Sequence, residues 1–377
     1  MLPVVLCGFC AFLDLYATQP LLPMLMRVFN ATHFAVSLTV TASTVAVAIA
    51  APIVGRLADL AGRKRVIVGS AFCLAAATLL AATAGSLGQF IGWRFVQGLA
   101  TPGIFGIAIA YVHGEWPETH VGRAMSAYIS GTVTGGFCGR AMVGVLSSRY
   151  GWQVGFAVLG VVNVLVAVAL AKWLPREKTR ADHEAGTHGR SVLRLLSHPQ
   201  LIATNIVGFC VLFSQVAMFS YVTFHLSDPP FGLSTAALGW LFVVYLVGAA
   251  VTPIAGHWID RKGHRAGVAI GVGVGFAGAM MTLVPSLAVI VAGLALVGSG
   301  VFIAQATSTS YIGKVTERDR GLAVGLYSTF YYIGGTIGGA LPALFWDAGG
   351  WVACVLLVMG VQLITAFVAL TSWTTRR

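Results

Sequence analysis

Charged side chains are scarce in this chain of 377 residues. Asp, Glu, Lys and Arg together make up 9% of it, and 57% of the residues are hydrophobic. An ordinary soluble domain is about one quarter charged. A soluble chain this apolar would expose large sticky patches, so the composition excludes a typical soluble enzyme. It predicts an all-α integral membrane protein instead.

The sequence also lacks the residue clusters that catalysis or metal binding requires. The six cysteines all fall in predicted helices, and there is no nucleophile elbow or phosphate loop. Cys7 and Cys10 have the spacing of a redox motif, but packing explains a thiol pair inside an apolar helix. We therefore expect that the protein is not an enzyme and has no catalytic residue, no cofactor and no metal site.

Long apolar segments recur along the chain, and we interpret them as transmembrane helices. The first segment is too long, and too polar at its far end, for a cleaved signal peptide, so we expect it to be a membrane helix. We predict twelve spans, at about residues 3–26, 34–56, 66–87, 89–113, 122–147, 152–174, 200–226, 235–257, 266–285, 287–312, 321–345 and 351–373.

The net charge of +11 would suit nucleic-acid binding, but the distribution of the charges indicates membrane topology instead. Most of the 23 Lys and Arg residues fall in the loops and tail of one side, whereas the opposite loops hold Arg27 and Arg149. The positive-inside rule then predicts both termini in the cytoplasm, in the inner membrane of a bacterial cell. The expected partners include membrane lipid and exclude nucleic acid.

An internal repeat relates the two halves at an offset near 200. Residues 8–10 (GFC) recur at 208–210, and Gly151-Trp152 recurs as Gly350-Trp351. Six helices per repeat is an even number, so both repeats enter the membrane from the same side. The expected fold has twelve transmembrane helices in two parallel, pseudo-symmetric six-helix bundles. We predict an N-terminal bundle, a cytoplasmic linker with an amphipathic helix over 191–199, and a C-terminal bundle, at residues 1–174, 175–199 and 200–377.

Four short motifs, spread over the N-terminal half, resemble those of one transporter family. They are "LDLYATQPLLP" (13–23), "GRLADLAGRK" (55–64), "WRFVQG" (93–98) and "GTVTGGFCGR" (131–140). They resemble the first-helix, signature-loop, fourth-helix and fifth-helix motifs of the major facilitator superfamily. The closest resemblance is to its twelve-helix drug:proton antiporter group, the sugar-efflux and multidrug-efflux permeases. The chain departs from the family pattern at Asp14 and Arg140, where the family has glycine, and at Gly136, where it has proline.

The signature loop implies a gate on the cytoplasmic side. In the family, the carboxylate that corresponds to Asp59 docks against the start of the eleventh helix, whose unpaired amides attract an anion. The predicted gating residues are Gly55, Asp59, Gly62, Arg63 and Lys64, with Asp260 in the second repeat. The alternative is that the cations of this loop only determine topology.

Glycines spaced four residues apart predict closely packed helices. Gly131, Gly135 and Gly139 share one face of the fifth helix, and Gly334 and Gly338 share one face of the eleventh. Dense packing alone explains them. The functional alternative is that smooth faces let the helices slide or bend.

Asp14 is the only acidic residue well inside a predicted helix, at roughly 16 Å from the inner face of the membrane. Its counterpart in the repeat is Ser214, so pseudo-symmetric packing does not require an acid there. Burial favours the neutral carboxyl and a nearby Arg94 or Arg140 favours the carboxylate, so Asp14 can bind and release a proton. The family resemblance also implicates Arg94 in proton coupling. The alternative is a permanent salt bridge from Asp14 to an arginine.

Polar and aromatic residues on the expected cavity-lining helices and their neighbours are the candidate substrate contacts. With one acid against two arginines, we expect the cavity to suit cations no better than neutral or anionic organic solutes. The leading hypothesis is a monomeric, proton-coupled exporter of a drug, sugar or metabolite. The alternatives are an importer or facilitator of the same fold, and a receptor or scaffold that does not transport. The predicted substrate-binding residues are Gln19, Arg140, Asn205, Gln215, Tyr221, Gln305, Tyr327 and Tyr331.

Overall fold

A computed structural model describes residues 1–175, 194–316 and 320–373, and for Glu118, 253–258, Asp260 and Arg320 it describes the backbone only. The side chain of the predicted gating residue Asp260 therefore lies outside the described part. The predicted linker helix at 191–199 lies partly outside it, and residues 194–196 are helical.

The first half of the described chain is helical from end to end. Short turns separate the helices, and a single 3-10 turn at Gln19–Leu21 follows the first of them. The helices are α1 (Leu2–Leu15), α2 (Leu22–Val28), α3 (His33–Ala61), α4 (Arg63–Ala82), α5 (Leu87–Glu115), α6 (Glu118–Tyr150) and α7 (Trp152–Trp173).

The second half repeats this pattern. Its helices are α8 (Pro199–Ser227), α9 (Thr235–Leu241), α10 (Val244–Lys262), α11 (His264–Met281), α12 (Leu287–Val315), α13 (Arg320–Ala340) and α14 (Pro342–Ser372). Two non-helical residues, Gly349 and Gly350, interrupt α14. Three joins give twelve segments: α1 with α2, α9 with α10, and α13 with the part of α14 that precedes the break. These twelve correspond in order to the twelve predicted segments.

The prediction of an all-α membrane fold is confirmed for the described residues, which form helices and turns with no strand. Nine helical stretches among them are long and apolar enough to cross a membrane. Their contacts divide the chain into two compact units. The first comprises Met1–His183 with Leu226–Phe242, and the second comprises Glu184–His225 with Val243–Arg377. The first unit thus includes α9, and the predicted domain boundaries stay a prediction.

Two prolines break the first membrane segment. Proline has no backbone N–H, and its ring clashes with the carbonyl group one turn before it, so Pro20 and Pro23 cannot continue an α-helix from α1. α1 ends at Leu15, and the backbone N–H of Ala17 bonds back to the carbonyl oxygen of Asp14. The result is a discontinuous helix whose last carbonyl groups lie inside the first unit.

A glycine face brings α6 into backbone contact with α1. A methyl group added at Gly131, Gly135 or Gly139 would overlap a carbonyl oxygen of α1. The oxygens concerned belong to Val5, Phe9 and Leu13. Because no side chain separates the helices along this face, α1 and α6 pack at the closest approach that backbones permit.

The second unit contains the same contact. Methyl groups on Gly334 and Gly338 of α13 would overlap the carbonyl oxygens of Phe209 and Phe213 in α8. These phenylalanines follow Phe9 and Leu13 by 200 positions. Each unit therefore builds its first and fifth segments into the same glycine-mediated pair.

We predict that Gly135→Ala lowers the thermal stability of the protein in detergent. The added methyl group overpacks a rigid backbone contact, which costs about 1–3 kcal/mol. Gly122→Ala is the matched control in the same helix, because a methyl group there meets open space and alanine is the better helix former. Equal melting temperatures for the two variants would contradict the close α1–α6 contact.

Candidate functional site

The carboxyl group of Asp14 is completely buried at the end of α1. Its exposed fraction is 0%. The hydroxyl of Thr78 on α4 donates to Oδ1 at 2.8 Å, and the amide of Asn163 on α7 donates to Oδ2 at 2.6 Å. Both donors are neutral, so the acid has hydrogen-bond partners without a cation in contact.

Arg94 on α5 is equally buried and binds the broken end of α1. Its Nη1 donates to the carbonyl oxygen of Asp14 at 3.0 Å, and its Nη2 donates to that of Leu15 at 2.6 Å. Its Nε donates to the carbonyl oxygen of Thr39 in α3 at 3.1 Å. The unpaired carbonyl groups at a helix C-terminus carry partial negative charge, which stabilises a buried guanidinium.

Gln97 links the arginine to the acid. Its Oε1 accepts from Nη1 of Arg94, and its Nε2 donates to the hydroxyl oxygen of Thr78 at 2.8 Å. Thr78 in turn bonds to Asp14. The described contacts of Asp14 include no salt bridge to an arginine. Two neutral side chains, Thr78 and Gln97, lie between its carboxylate and the guanidinium of Arg94.

Thr78 and Asn163 were not predicted as site residues. Asn163 had a usable signal, because it is a polar residue in the middle of α7, one of the most apolar helices. Its Oδ1 also lies 3.6 Å from Sγ of Cys10, which orients the amide nitrogen toward Asp14. Thr78 had no such signal, since threonine in a membrane helix commonly bonds to its own backbone.

A second buried cation lies just beyond the break. Nε of Arg140 donates to Oε1 of Gln19 at 2.9 Å, and the guanidinium lies over the rings of Tyr16 and Phe242, at 5.1 and 4.7 Å from their centroids. The structure thus brings together two of the predicted substrate residues. Cation–π contact stabilises the arginine in a largely dry position.

The predicted substrate residues of the second unit differ in their surroundings. Tyr221 is fully buried, and its hydroxyl donates to the carbonyl oxygen of Gly339 at 3.0 Å, which anchors α8 to α13. Tyr327 and Tyr331 stack with their ring centroids 5.9 Å apart. Asn205 is buried, and Gln215 and Gln305 are partly exposed.

The predicted gating loop over 55–64 is helical except at Gly62, because α3 continues to Ala61 and α4 begins at Arg63. Gly62 has a φ of 94°, which favours glycine at the turn, and Gly263 has a φ of 88° at the equivalent place in the repeat. Arg63 begins α4 and donates from Nη1 to the carbonyl oxygen of Ala110, near the end of α5, at 3.2 Å. Lys64 follows it in the first turn. Gly55 and Asp59 are exposed.

Comparison with family models gives one match that covers nearly the whole chain. The model described as "Major Facilitator Superfamily" matches residues 4–229 and 227–377. The chain is 30% identical over 364 residues to the uncharacterized MFS-type transporter YybF of Bacillus subtilis, covering 96% of this chain and 90% of YybF. It is 32% identical over 353 residues to the inner membrane transport protein YnfM of Escherichia coli, covering 91% and 83%.

Solved structures share the fold at low sequence identity. A bacterial homolog of the human lysosomal transporter Spinster, in an inward-facing and occupied conformation, superposes with a TM-score of 0.80 at 15% identity. The match covers 99% of this chain and 96% of that one. The nucleoside transporter NupG, as its D323A mutant, gives a TM-score of 0.78 at 13% identity and covers 99% of both chains.

We predict that Arg94→Lys destabilises the first unit by about 2 kcal/mol. The ammonium group of lysine cannot reach the carbonyl oxygens of α1 and α3 together, so some of the hydrogen bonds that the charged guanidinium donates are lost. The melting temperature of the purified protein measures this. Arg27→Lys is the control, since Arg27 is an exposed arginine that bonds to one carbonyl group of its own helix. An unchanged melting temperature for Arg94→Lys would contradict the anchoring role.

Proposed function

The chain belongs to the Major Facilitator Superfamily and is a multi-pass membrane transporter of that type, and on this premise we propose that it exports a small organic solute in exchange for protons. We further propose that it acts as a monomer in the bacterial inner membrane with both termini in the cytoplasm. The similarity to YnfM, an inner membrane transport protein, supports that location.

The observation that carries the proposal is the buried carboxyl group of Asp14 with neutral hydrogen-bond partners. A charged carboxylate in a dry interior is unfavourable unless it is paired, and neutral donors compensate only part of that cost. Binding a proton removes the charge. A buried acid of this kind therefore has two accessible states, which is what proton coupling requires.

Thr78 can form a hydrogen bond with Asp14 in both the charged and the protonated state of the acid. Its hydroxyl oxygen lies 2.8 Å from Oδ1 of Asp14 and 2.7 Å from the carbonyl oxygen of Leu74. When Asp14 is charged, the Thr78 hydroxyl donates to the carboxylate. When Asp14 is protonated, the carboxyl donates to Thr78, and the Thr78 hydroxyl turns to donate to Leu74. In both states the threonine oxygen accepts from Gln97, so no buried polar atom of this group loses its partner.

The position of the acid couples its charge to the broken helix. Arg94 holds the carbonyl oxygens of Asp14 and Leu15, and Gln97 joins Arg94 to the acid. A change of charge on Asp14 thus acts on the end of α1, next to the segment that presents Gln19 to Arg140. We propose that the proton is bound from outside and released inside while the substrate moves outward.

Arg140 and Gln19 form the proposed substrate contact of the first unit. A guanidinium with two aromatic neighbours suits neutral or anionic organic solutes better than cations. In the second unit we propose that Asn205, Gln215, Gln305, Tyr327 and Tyr331 contact the substrate. Tyr221 is the weakest of the predicted set, because its hydroxyl is occupied by Gly339.

We also propose that the junction of α3 and α4 controls opening, with Asp59, Arg63 and Lys64 in the roles that the superfamily's signature loop implies and with Asp260 as the counterpart of Asp59. The contact of Arg63 with the end of α5 supports this, because it ties the start of α4 to the helix that carries Arg94. We assign membrane lipid and protons as further partners.

We predict that Asp14→Asn abolishes proton-driven export. Asparagine keeps the shape of the side chain and cannot exchange a proton. The test expresses the wild-type chain and Asp14→Asn at equal membrane levels in an efflux-deficient bacterium. Tolerance is measured against antibiotics, dyes, sugars and organic acids, followed by transport in vesicles with an imposed pH gradient. Asp228→Asn removes an exposed acid as the control.

Equal protection by wild type and Asp14→Asn would contradict the coupling role of Asp14. A compound that accumulates inside the cell or the right-side-out vesicle because of the wild-type chain would instead identify an importer or facilitator.

We predict that Thr78→Val reduces proton-driven transport about tenfold, since the lost hydrogen bond to a charged group is worth about 1.5 kcal/mol. Valine has nearly the shape of threonine and lacks the hydroxyl. Thr78→Ser keeps the hydroxyl and should restore transport and its pH profile. If valine and serine variants transport alike, the hydroxyl has no part in proton binding.

A further inference from the structure

The second unit contains a small pocket between four of its helices. About 20 Å³ of space lies among α8, α11, α12 and α14. A cavity holds a water molecule if its lining is polar and if the space open to the centre of a water-sized sphere is roughly 10–15 Å³ or more. The lining includes Cys210, Ser214, Gly271, Gly300, Gln362 and Thr365.

Two polar atoms of this lining have no hydrogen-bond partner among the residues that the structure describes. They are Oγ of Ser214 and Oε1 of Gln362, and both residues are at least nine-tenths buried, with exposed fractions of 2% and 5%. Other buried hydroxyls in this unit, such as that of Ser299, donate to the carbonyl group one turn before them. A buried acceptor without a partner is unfavourable, so these two atoms call for a ligand within the cavity.

The repeat relates this cavity to the site in the first unit. The GFC repeat, at residues 8–10 and 208–210, aligns Cys210 with Cys10 and Ser214 with Asp14. The Gly-Trp repeat, at 151–152 and 350–351, aligns Gln362 with Asn163. In the first unit, Asn163 bonds to both Cys10 and Asp14. Serine is shorter than aspartate, so the same framework leaves space where the carboxylate would lie.

We propose that the cavity holds one tightly bound water molecule in the place that the carboxylate occupies in the first unit. The water donates to Oε1 of Gln362 and accepts from the hydroxyl of Ser214. None of the lining residues carries a formal charge, and an enclosed cation would be uncompensated, so water is the ligand of matching chemistry. The second unit then has a polar site that exchanges no proton.

Hydroxyl-radical labelling by short X-ray pulses tests the proposal on the wild-type protein. Radicals form from bound water in place and oxidise the nearest thiol, so Cys210 should be oxidised several-fold faster than Cys7. Cys7 is the control because it is equally buried, in the apolar core of the first unit. The exposed Cys73 calibrates the dose. A soluble thiol reagent should leave Cys210 unmodified.

Variants locate the water within the cavity. Ser214→Ala and Gln362→Met each remove one of its partners and should slow the oxidation of Cys210 and lower the melting temperature. Ser299→Ala removes a buried hydroxyl outside the lining and should leave the oxidation rate unchanged.

Three results would overturn the proposal. The first is oxidation of Cys210 as slow as that of Cys7, which the wild-type protein alone decides. The second is reaction of Cys210 with the thiol reagent, which would mean access to bulk solvent. The third is a change in Cys210 oxidation or melting temperature when sodium replaces choline, which would indicate a cation.

Discussion

The polar interior of the first unit depends on the hydrogen bonds that Arg94 donates to the carbonyl groups at the end of the interrupted first helix. Pro20 and Pro23 prevent α1 from continuing. At its end, the carbonyl oxygen of Asp14 accepts from the backbone N–H of Ala17 and from Arg94, and that of Leu15 accepts from Arg94. A guanidinium has donors in a rigid fork and can satisfy several carbonyl groups at once. Without the arginine, the end of the helix would lose its charged donor. Without the break, the arginine would keep only the carbonyl oxygen of Thr39 and Oε1 of Gln97 as partners.

The two units use one framework for different chemistry. In both, a glycine face brings the fifth segment into backbone contact with the first, so the position of the first segment is fixed by steric fit. The polar residues set into that framework differ. In the first unit Asp14 accepts from both Thr78 and Asn163. The second unit has serine and glutamine at the positions equivalent to Asp14 and Asn163. Closely packed backbones can be duplicated while a few side chains diverge, because the packing does not depend on them.

Much of the fold could be predicted from the sequence. Apolar length identified the segments, and the spacing of Gly131, Gly135 and Gly139 indicated a closely packed face, because both properties are local. The site could be predicted only in part. Asp14 and Arg94 stand out because a charge inside a membrane helix is rare. Hydropathy does not determine how α4, α5 and α7 are rotated about their axes. This rotation decides that Asp14 contacts Thr78 and Asn163 and that Arg94 contacts backbone carbonyl groups. The salt bridge was the alternative interpretation of Asp14, and it arises because a search for opposite charges does not detect backbone carbonyl groups at a helix break as partners for an arginine.

The separation of the two charges bears directly on proton coupling. A carboxylate in direct contact with a guanidinium in a dry interior would be held in its charged form, since protonation would leave the arginine unpaired. Here the helix end and Gln97 satisfy Arg94 whatever the state of Asp14. The acid is then balanced between burial, which favours the neutral form, and two neutral donors, which favour the charged one. Because backbone carbonyl groups supply the hydrogen-bond partners of Arg94, Asp14 can change its charge without leaving the arginine unpaired, which is the physical requirement of the proton coupling proposed above.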